Sequence, residues 1–121
     1  MVTLESLSRI AELEFSDIVG TTFRLQNKLR ILLNDTSFID VYLSQKIENK
    51  FGFHWETKDK DLHVYRYDNF PNTKWKELST FPYHFHNGSQ ENVILPPFKE
   101  DVVQGFIEFM EFVRDKINIK I

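Results

Sequence analysis

The stretch that decides the fold is FGFHWETKDKDLHVYRYDN, residues 51–69. In its first part apolar residues alternate with other residues, so Phe51, Phe53 and Trp55 would share one face of a strand. The charged run KDKD at residues 58–61 indicates a turn, and a second strand would follow over residues 62–68. We therefore predict an antiparallel β-hairpin with strands at residues 51–57 and 62–68.

The register of this hairpin decides which side chains face the core. A two-residue loop at residues 59–60 would place Phe53 opposite Arg66. Arg66 and Asp68 would then continue the apolar face. The other face would carry four aromatic residues: His54, His63, Tyr65 and Tyr67. Because an unpaired buried charge is costly, we expect a polar pocket around Arg66 and Asp68, where the sheet ends.

The segments before the hairpin predict a helix followed by more strands. An amphipathic helix is expected over residues 3–16, with Thr3 as its N-cap. In residues 21–27 and 28–33 the side-chain pattern repeats with a period of two. This pattern predicts either one bent strand or two separate strands. The Asx and hydroxyl residues of NDTS, residues 34–37, predict a turn, and a strand follows over residues 38–44.

The segments after the hairpin predict a long loop and a second helix. Residues 69–97 contain all four prolines, and within them residues 81–86 suit a short strand that Pro82 restricts to the sheet edge. A helix is expected over residues 97–116. The predicted architecture is α+β, with an N-terminal helix, an antiparallel meander sheet, a Pro-rich loop and a C-terminal helix. It forms one domain over residues 1–121.

Composition excludes several classes of function. The chain has 121 residues, a net charge of −3, 15% aromatic residues and no cysteine. Disulfides, thiolate zinc sites and cysteine nucleophiles are therefore excluded. The acidic balance disfavours a duplex-DNA binder, and there is no Gly-rich phosphate loop, HExxH motif or nucleophile elbow. Because the N-terminus lacks signal-peptide features and no membrane-length apolar run occurs, we expect a cytoplasmic protein.

Two of the four histidines lie in STFPYHFHNGSQENV, residues 79–93. On an extended strand His84 and His86 would point to one face, about 6.5–7 Å apart. Such a pair suits acid–base catalysis at a phosphodiester, because imidazoles titrate near neutral pH. It also suits a metal ion with Asp68 or another histidine as third ligand, or simple hydrogen bonding to the loop backbone. The residues alone leave these three interpretations open.

Other candidate residues surround this motif in the sequence. Arg66 and Asp68 form a ready ion pair, which either tethers the loop or prepares the arginine to bind a phosphate. Asn69 suits a turn, while residues 74–76, KWK, combine cations with an aromatic ring as nucleotide-binding segments do. The candidates for substrate contact are Lys74, Trp75, Asn69 and Tyr67. For His54 and His63 we predict only a place on the outward face.

Two motifs carry a resemblance to a known family. The runs YRYDNFP, residues 65–71, and FPYHFHNGSQENV, residues 81–93, resemble the RYDN…P and FPxHxH signatures of the TumE family, proposed toxins of toxin–antitoxin pairs. The order of helices, strands and motifs is also similar. The matching positions are Arg66, Asp68, Asn69, His84 and His86. The chain departs at residues 72–75, NTKW, where family members often carry additional histidines. The resemblance implies a helix-turn-helix antitoxin as partner.

Three hypotheses of function follow. In the first, the protein is a toxin that cleaves RNA without a metal or other cofactor: one of His84 and His86 accepts the 2′-hydroxyl proton and the other protonates the leaving oxygen. Arg66, with Lys74, would stabilise the phosphate, and Asp68 would orient Arg66 or a histidine. The second is a non-catalytic module that binds a protein partner. The third is a metal-dependent phosphodiesterase. Both a monomer and a homodimer are compatible with the sequence.

Overall fold

A computed structural model of the protein describes residues 2–57 and 62–119. The predicted KDKD turn and its two-residue loop lie outside the described residues. The elements follow in chain order as α1 (Leu4–Glu14), β1 (Val19–Leu25), β2 (Lys28–Leu33), β3 (Phe38–Leu43), β4 (Phe51–Glu56), β5 (Val64–Asp68), a 3₁₀ turn (Thr73–Trp75), β6 (His84–Gly88), β7 (Val93–Ile94) and α2 (Val102–Ile119).

The seven strands form one antiparallel sheet in which each strand pairs with its neighbours in sequence. This meander confirms the predicted α+β class. β1 and β2 are two separate strands, joined by a tight turn in which Gln26 adopts a positive φ of 58°. The prediction of an edge strand at residues 81–86 is wrong, because β6 pairs with β5 on one side and with β7 on the other. Pro82 precedes β6 and so removes no hydrogen bond from the sheet.

Both helices pack on the same face of the sheet, α1 over β1 to β3 and α2 over β4. Thr3 caps α1 as predicted, since its Oγ1 accepts a hydrogen bond from the Ser6 N–H at 3.1 Å. The aromatic residues fill the space between sheet and helices. The largest fully buried aromatic side chains are Phe15, Phe51, Phe53, Trp55, Tyr67, Phe85, Phe106 and Phe109. Among the described residues, neither helix combines the length and hydrophobicity needed to cross a membrane.

The predicted register of β4 and β5 is wrong by one residue. Phe53 lies opposite Tyr67, while Arg66 lies opposite His54. The reason is that the tyrosine rings offer more apolar area to the core than the charged side chains do. Tyr67 packs against Phe98 with ring centroids 5.0 Å apart. Arg66 and Asp68 therefore lie on the outer face of the sheet, away from the helices.

The second helix begins at Val102, five residues later than predicted. The preceding segment is held in an irregular conformation by contacts with the sheet. The side chain of Phe98 is buried in the core, and the carbonyl of Lys99 accepts a hydrogen bond from the Tyr67 hydroxyl at 2.7 Å. Asp101 then supplies the N-terminal cap, because its carboxylate accepts the Gln104 N–H at 3.0 Å. These contacts fasten the start of α2 to β5.

We expect Gly105→Ala to destabilise the protein by about 1–3 kcal/mol, although alanine is the better helix former. A Cβ at this position would lie 2.8 Å from the Lys99 carbonyl oxygen and 3.2 Å from Tyr67 Cε2, so the backbone would have to shift. Urea unfolding measures the effect. The exposed α2 position Glu111 provides the matched control, since Glu111→Ala should change stability by less than about 0.5 kcal/mol. An increase in stability for Gly105→Ala would contradict the close contact.

Candidate functional site

Two rows of mostly polar residues cross the outer face of the sheet. Strand pairing aligns each row across β2, β3, β4, β5 and β6. One row consists of Lys28, Tyr42, Gly52, Asp68 and His84, and the other of Arg30, Asp40, His54, Arg66 and His86. The predicted catalytic residues thus lie next to one another, Asp68 and His84 at the end of the first row and Arg66 and His86 at the end of the second. The pairing of β5 with β6 therefore brings Asp68 next to His84, 16 positions later in the sequence, and Arg66 next to His86, 20 positions later.

Asp68 connects the members of this cluster. Its Oδ2 accepts a hydrogen bond from Arg66 Nε at 2.6 Å, and its Oδ1 lies 3.3 Å from His84 Nε2. Oδ1 also accepts the backbone N–H of Phe70 at 3.0 Å. The Asp68 side chain is only 3% exposed, whereas that of Arg66 is 30% exposed. Asp68 therefore fixes the arginine and one histidine while leaving the guanidinium accessible to a ligand.

Backbone carbonyls fix the orientation of both histidine rings. The Nδ1 of His84 lies 3.0 Å from the carbonyl oxygen of Pro82, and the Nδ1 of His86 lies 2.9 Å from that of Gln90. A carbonyl oxygen only accepts hydrogen bonds, so each Nδ1 carries a proton. Nε2 is consequently the atom that each ring can use for chemistry. The two ring centroids are 5.1 Å apart, and the rings are nearly perpendicular.

The surroundings of the two rings differ. His84 lies between two acceptors, with Nδ1 facing the Pro82 carbonyl and Nε2 3.3 Å from the Asp68 carboxylate. Burial lowers the pKa of His86, and this effect outweighs the Gln90 carbonyl, which raises it; the neighbouring His84 lowers it further. His86 is therefore neutral at pH 7, with a lone pair on Nε2. The cluster thus places one imidazole beside a carboxylate and keeps the other neutral.

The two histidines line an open cleft of about 340 Å³. Trp75 forms one wall, with its ring centroid 6.2 Å from that of His84 and 6.1 Å from that of His86. Asn72 positions this wall, because its Oδ1 accepts the Lys74 N–H at 3.0 Å and caps the 3₁₀ turn. The remaining lining residues are Arg66, Asp68, Phe70, Lys74 and Gln90. A larger hollow of about 780 Å³ lies beside the β3–β4 loop, but its lining contains neither histidine nor arginine.

The structure brings six of the eight predicted site residues to the cleft. Asn69 and Tyr67 are not among those that line it. The Asn69 amide accepts the Phe51 N–H at 3.0 Å and donates to the Asn49 carbonyl, so it holds the β3–β4 loop. Tyr67 is fully buried on the opposite face of the sheet. The places of Phe70, Asn72 and Gln90 in the cleft lining were not predicted. Of these three residues only Asn72 has a recognisable signal in the sequence, because an asparagine directly before TKW suits a helix N-cap.

The same atoms offer a possible metal site. Asp68, His84 and His86 each present one ligand atom, and these atoms lie within 4.8 Å of one another. Histidines that bind metals commonly donate their other N–H to a backbone carbonyl, as both histidines do here. Two imidazoles and one carboxylate suit a divalent transition metal, with the open cleft available for further ligands. The geometry is therefore compatible with both metal-free and metal-dependent chemistry.

The lowered pKa of His86 predicts a pH-dependent stability. Above the ordinary histidine pKa of about 6.5 the ring is neutral in both the folded and the unfolded protein. As the pH falls below that value, the unfolded chain takes up the proton first, so the free energy of unfolding decreases by up to about 1.4 kcal/mol per pH unit. The decrease ends once the pH reaches the folded-state pKa.

Urea unfolding of the wild type and of His86→Asn between pH 8 and pH 5 measures this effect. The asparagine cannot titrate, so the destabilisation caused by the substitution should be largest at high pH and should shrink as the pH falls. A stability difference that stays constant over the whole range would contradict the lowered pKa.

Comparison with known proteins adds one finding. A family model described as Toxin TumE matches residues 4–117. The match begins at the first residue of α1, ends in the last turns of α2 and includes every residue of the cleft. No curated protein and no solved structure matches the chain.

Proposed function

The chain belongs to the TumE toxin family, and on this basis we propose that it acts as the toxin component of a toxin–antitoxin pair by cleaving RNA without a metal ion. The observation that carries the proposal is the pair of buried imidazoles at the cleft, one beside a carboxylate and the other with a lowered pKa. A base and an acid on opposite sides of one phosphodiester are sufficient for transesterification of RNA.

The proposed reaction uses the two Nε2 atoms. His86 Nε2 takes the proton of the ribose 2′-hydroxyl as the 2′-oxygen attacks phosphorus. The bond between phosphorus and the 5′-oxygen breaks, and His84 gives its Nε2 proton to that oxygen. The products are a 2′,3′-cyclic phosphate and a 5′-hydroxyl end. Asp68 supports this division of roles by geometry, because its Oδ1 lies 3.3 Å from His84 Nε2, whereas no carboxylate faces His86 in the same way among the described residues.

The cations of the cleft would stabilise the crowded phosphate. Arg66 Nε is engaged with Asp68, which leaves its remaining N–H groups for the phosphate oxygens. Lys74 lies beside Trp75, with Nζ 5.5 Å from the ring centroid. The Trp75 ring would stack on a base next to the scissile bond, as aromatic side chains do in single-stranded RNA sites. Both residues therefore act in substrate binding.

Membership of a toxin family implies an antitoxin partner. We propose that this partner is a helix-turn-helix protein encoded next to the toxin, and that the pair acts in the cytoplasm on cellular RNA. Binding of the antitoxin would suppress cleavage.

Controlled expression in a bacterial host tests the proposed function, with growth and total RNA integrity followed together. We expect the wild type to arrest growth and to degrade RNA, and His84→Ala/His86→Ala to do neither. His63→Ala serves as the matched control, because His63 precedes β5 and lies outside the cleft. Intact RNA in cells that contain folded wild-type protein would contradict the proposal, and capture of a partner without RNA loss would favour a non-catalytic module.

A further inference from the structure

A second concavity adjoins the catalytic cleft on the outer face of the sheet. This Gly52 groove has a volume of about 310 Å³ and is lined by Lys28, Asp40, Tyr42, Gly52, His54 and Arg66. Arg66 also lines the cleft, so the two concavities share this residue. A chain bound in the cleft would pass Arg66 to reach the groove.

Gly52 determines how closely Arg66 approaches the sheet between the two concavities. It lies between Tyr42 on β3 and Asp68 on β5 in its cross-strand row. A Cβ on Gly52 would lie 3.4 Å from both Arg66 Nη2 and Asp68 Cβ, and 3.8 Å from the Phe70 ring. The Arg66, Asp68 and Phe70 side chains therefore lie directly over Gly52, close enough to contact such a Cβ. The missing side chain thus lets Arg66 lie close to the sheet, between the cleft and the groove.

An aromatic pair lies where the two concavities adjoin, with Tyr42 lining the groove and Phe70 lining the cleft. Tyr42 and Phe70 meet edge to face with centroids 5.4 Å apart, and both are half-buried. Two cations lie near the Phe70 ring: Lys50 Nζ at 5.1 Å and the Arg66 guanidinium carbon at 5.6 Å from its centroid. An aromatic wall flanked by cations is the usual composition of a site for single-stranded nucleic acid, where bases stack and phosphates pair with the cations.

The far end of the groove carries an excess of positive charge. Asp40 accepts hydrogen bonds from Lys28 Nζ at 2.9 Å and from Arg30 Nε at 2.8 Å, so one carboxylate faces two cations. Lys28 retains 35% side-chain exposure. The floor of the groove adds His54, whose buried Nδ1 has no hydrogen-bond partner among residues 2–57 and 62–119.

We propose that the Gly52 groove binds the nucleotide next to the two that flank the scissile bond. This inference rests on the proposed ribonuclease function and extends it from a cleavage site to a longer recognition site. The base packs against Tyr42, the phosphate lies between Arg66 and Lys28, and His54 contacts the sugar or the base. The protein then prefers single-stranded RNA that extends beyond the cleft on one side.

Binding and cleavage of short oligonucleotides test the inference separately. Binding to the protein is measured by fluorescence anisotropy with uncleavable 2′-deoxy oligonucleotides. These are a dinucleotide and two trinucleotides, one extended at the 5′ end and the other at the 3′ end. Cleavage of the corresponding RNAs is measured in parallel. The variants are Tyr42→Ala, Lys28→Ala and the control Lys46→Ala, which removes an exposed cation of the β3–β4 loop.

We expect one of the two extensions to tighten binding about 10-fold, within the range for a stacked base. Tyr42→Ala should abolish this gain while leaving dinucleotide affinity within about twofold of the wild type. Lys28→Ala should weaken the salt dependence of trinucleotide binding, so that the slope of log affinity against log salt concentration becomes about 0.7 less steep. Equal affinity for di- and trinucleotides, or an equal loss in Lys46→Ala and Tyr42→Ala, would overturn the inference even if RNA is cleaved. A length-dependent gain without cleavage would support the groove and reject the ribonuclease function.

Discussion

Replacing either cleft histidine with alanine lowers the rate constant of RNA cleavage by at least about 100-fold, since proton transfer by a positioned side chain contributes about 10²–10⁴-fold. The two substitutions should differ in their pH profiles. The wild-type rate should rise with pH as His86, whose pKa is lowered by burial, loses its proton. His86→Ala should lack this rise, whereas His84→Ala should keep the rise at a lower overall rate. Each histidine is thereby assigned to one role.

Single-turnover cleavage of a single-stranded RNA between pH 5 and pH 9 measures this prediction. His63→Ala is the matched control and should retain the wild-type rate within about twofold, because it lies outside the cleft. Circular dichroism and urea unfolding verify that each variant is folded. Identical profiles for the two cleft variants would contradict the assignment of acid and base, and wild-type rates in either would remove that histidine from the mechanism.

Asp68→Asn should lower cleavage by about 100-fold, because it removes the charge that faces His84 Nε2 and holds Arg66. The asparagine amide presents an NH₂ group on one side, so either Arg66 or His84 faces a donor instead of an acceptor. Since Asp68 is buried, the variant should also be less stable by about 1–3 kcal/mol.

The control for this substitution is another arginine–aspartate pair. Asp17 accepts a hydrogen bond from Arg114 at 3.0 Å, but its side chain is 54% exposed. Asp17→Asn should therefore cost less than about 1 kcal/mol and leave cleavage within about twofold. An Asp68→Asn variant that is folded and cleaves RNA as fast as Asp17→Asn would show that the carboxylate is only structural.

The sequence predicted the element types well because their signals are local. The period-two alternation around Phe53 and Trp55, the Thr3 cap and the NDTS turn each depend on neighbouring residues. The register of β4 and β5 depends on whether the number of residues that connect them is odd or even. One residue more or less turns every side chain of a strand to the opposite face of the sheet. The predicted register therefore placed Arg66 and Asp68 on the core face, although the polar cluster around them was predicted correctly.

Long-range contacts explain the other differences. The late start of α2 follows from the docking of Phe98 and of the Lys99 carbonyl on Tyr67, which no helix signal reveals. Tyr67 was predicted to contact substrate and to lie on the outward face, but it is buried on the core face. The tautomers of the two histidines depend on the carbonyls of Pro82 and Gln90, and a backbone group leaves no mark in the sequence. The orientation of the two rings is therefore a property of the fold.

The most direct test of the metal-free histidine mechanism is the chemical identity of the product ends. Purified protein is incubated with a defined single-stranded RNA in excess EDTA, and the products are analysed by mass spectrometry. The mechanism predicts 2′,3′-cyclic phosphate and 5′-hydroxyl ends, formed by the wild type and absent with His84→Ala/His86→Ala. Cleavage that requires an added divalent ion, or products with 3′-hydroxyl and 5′-phosphate ends, would contradict it and favour a metal ion bound by Asp68, His84 and His86.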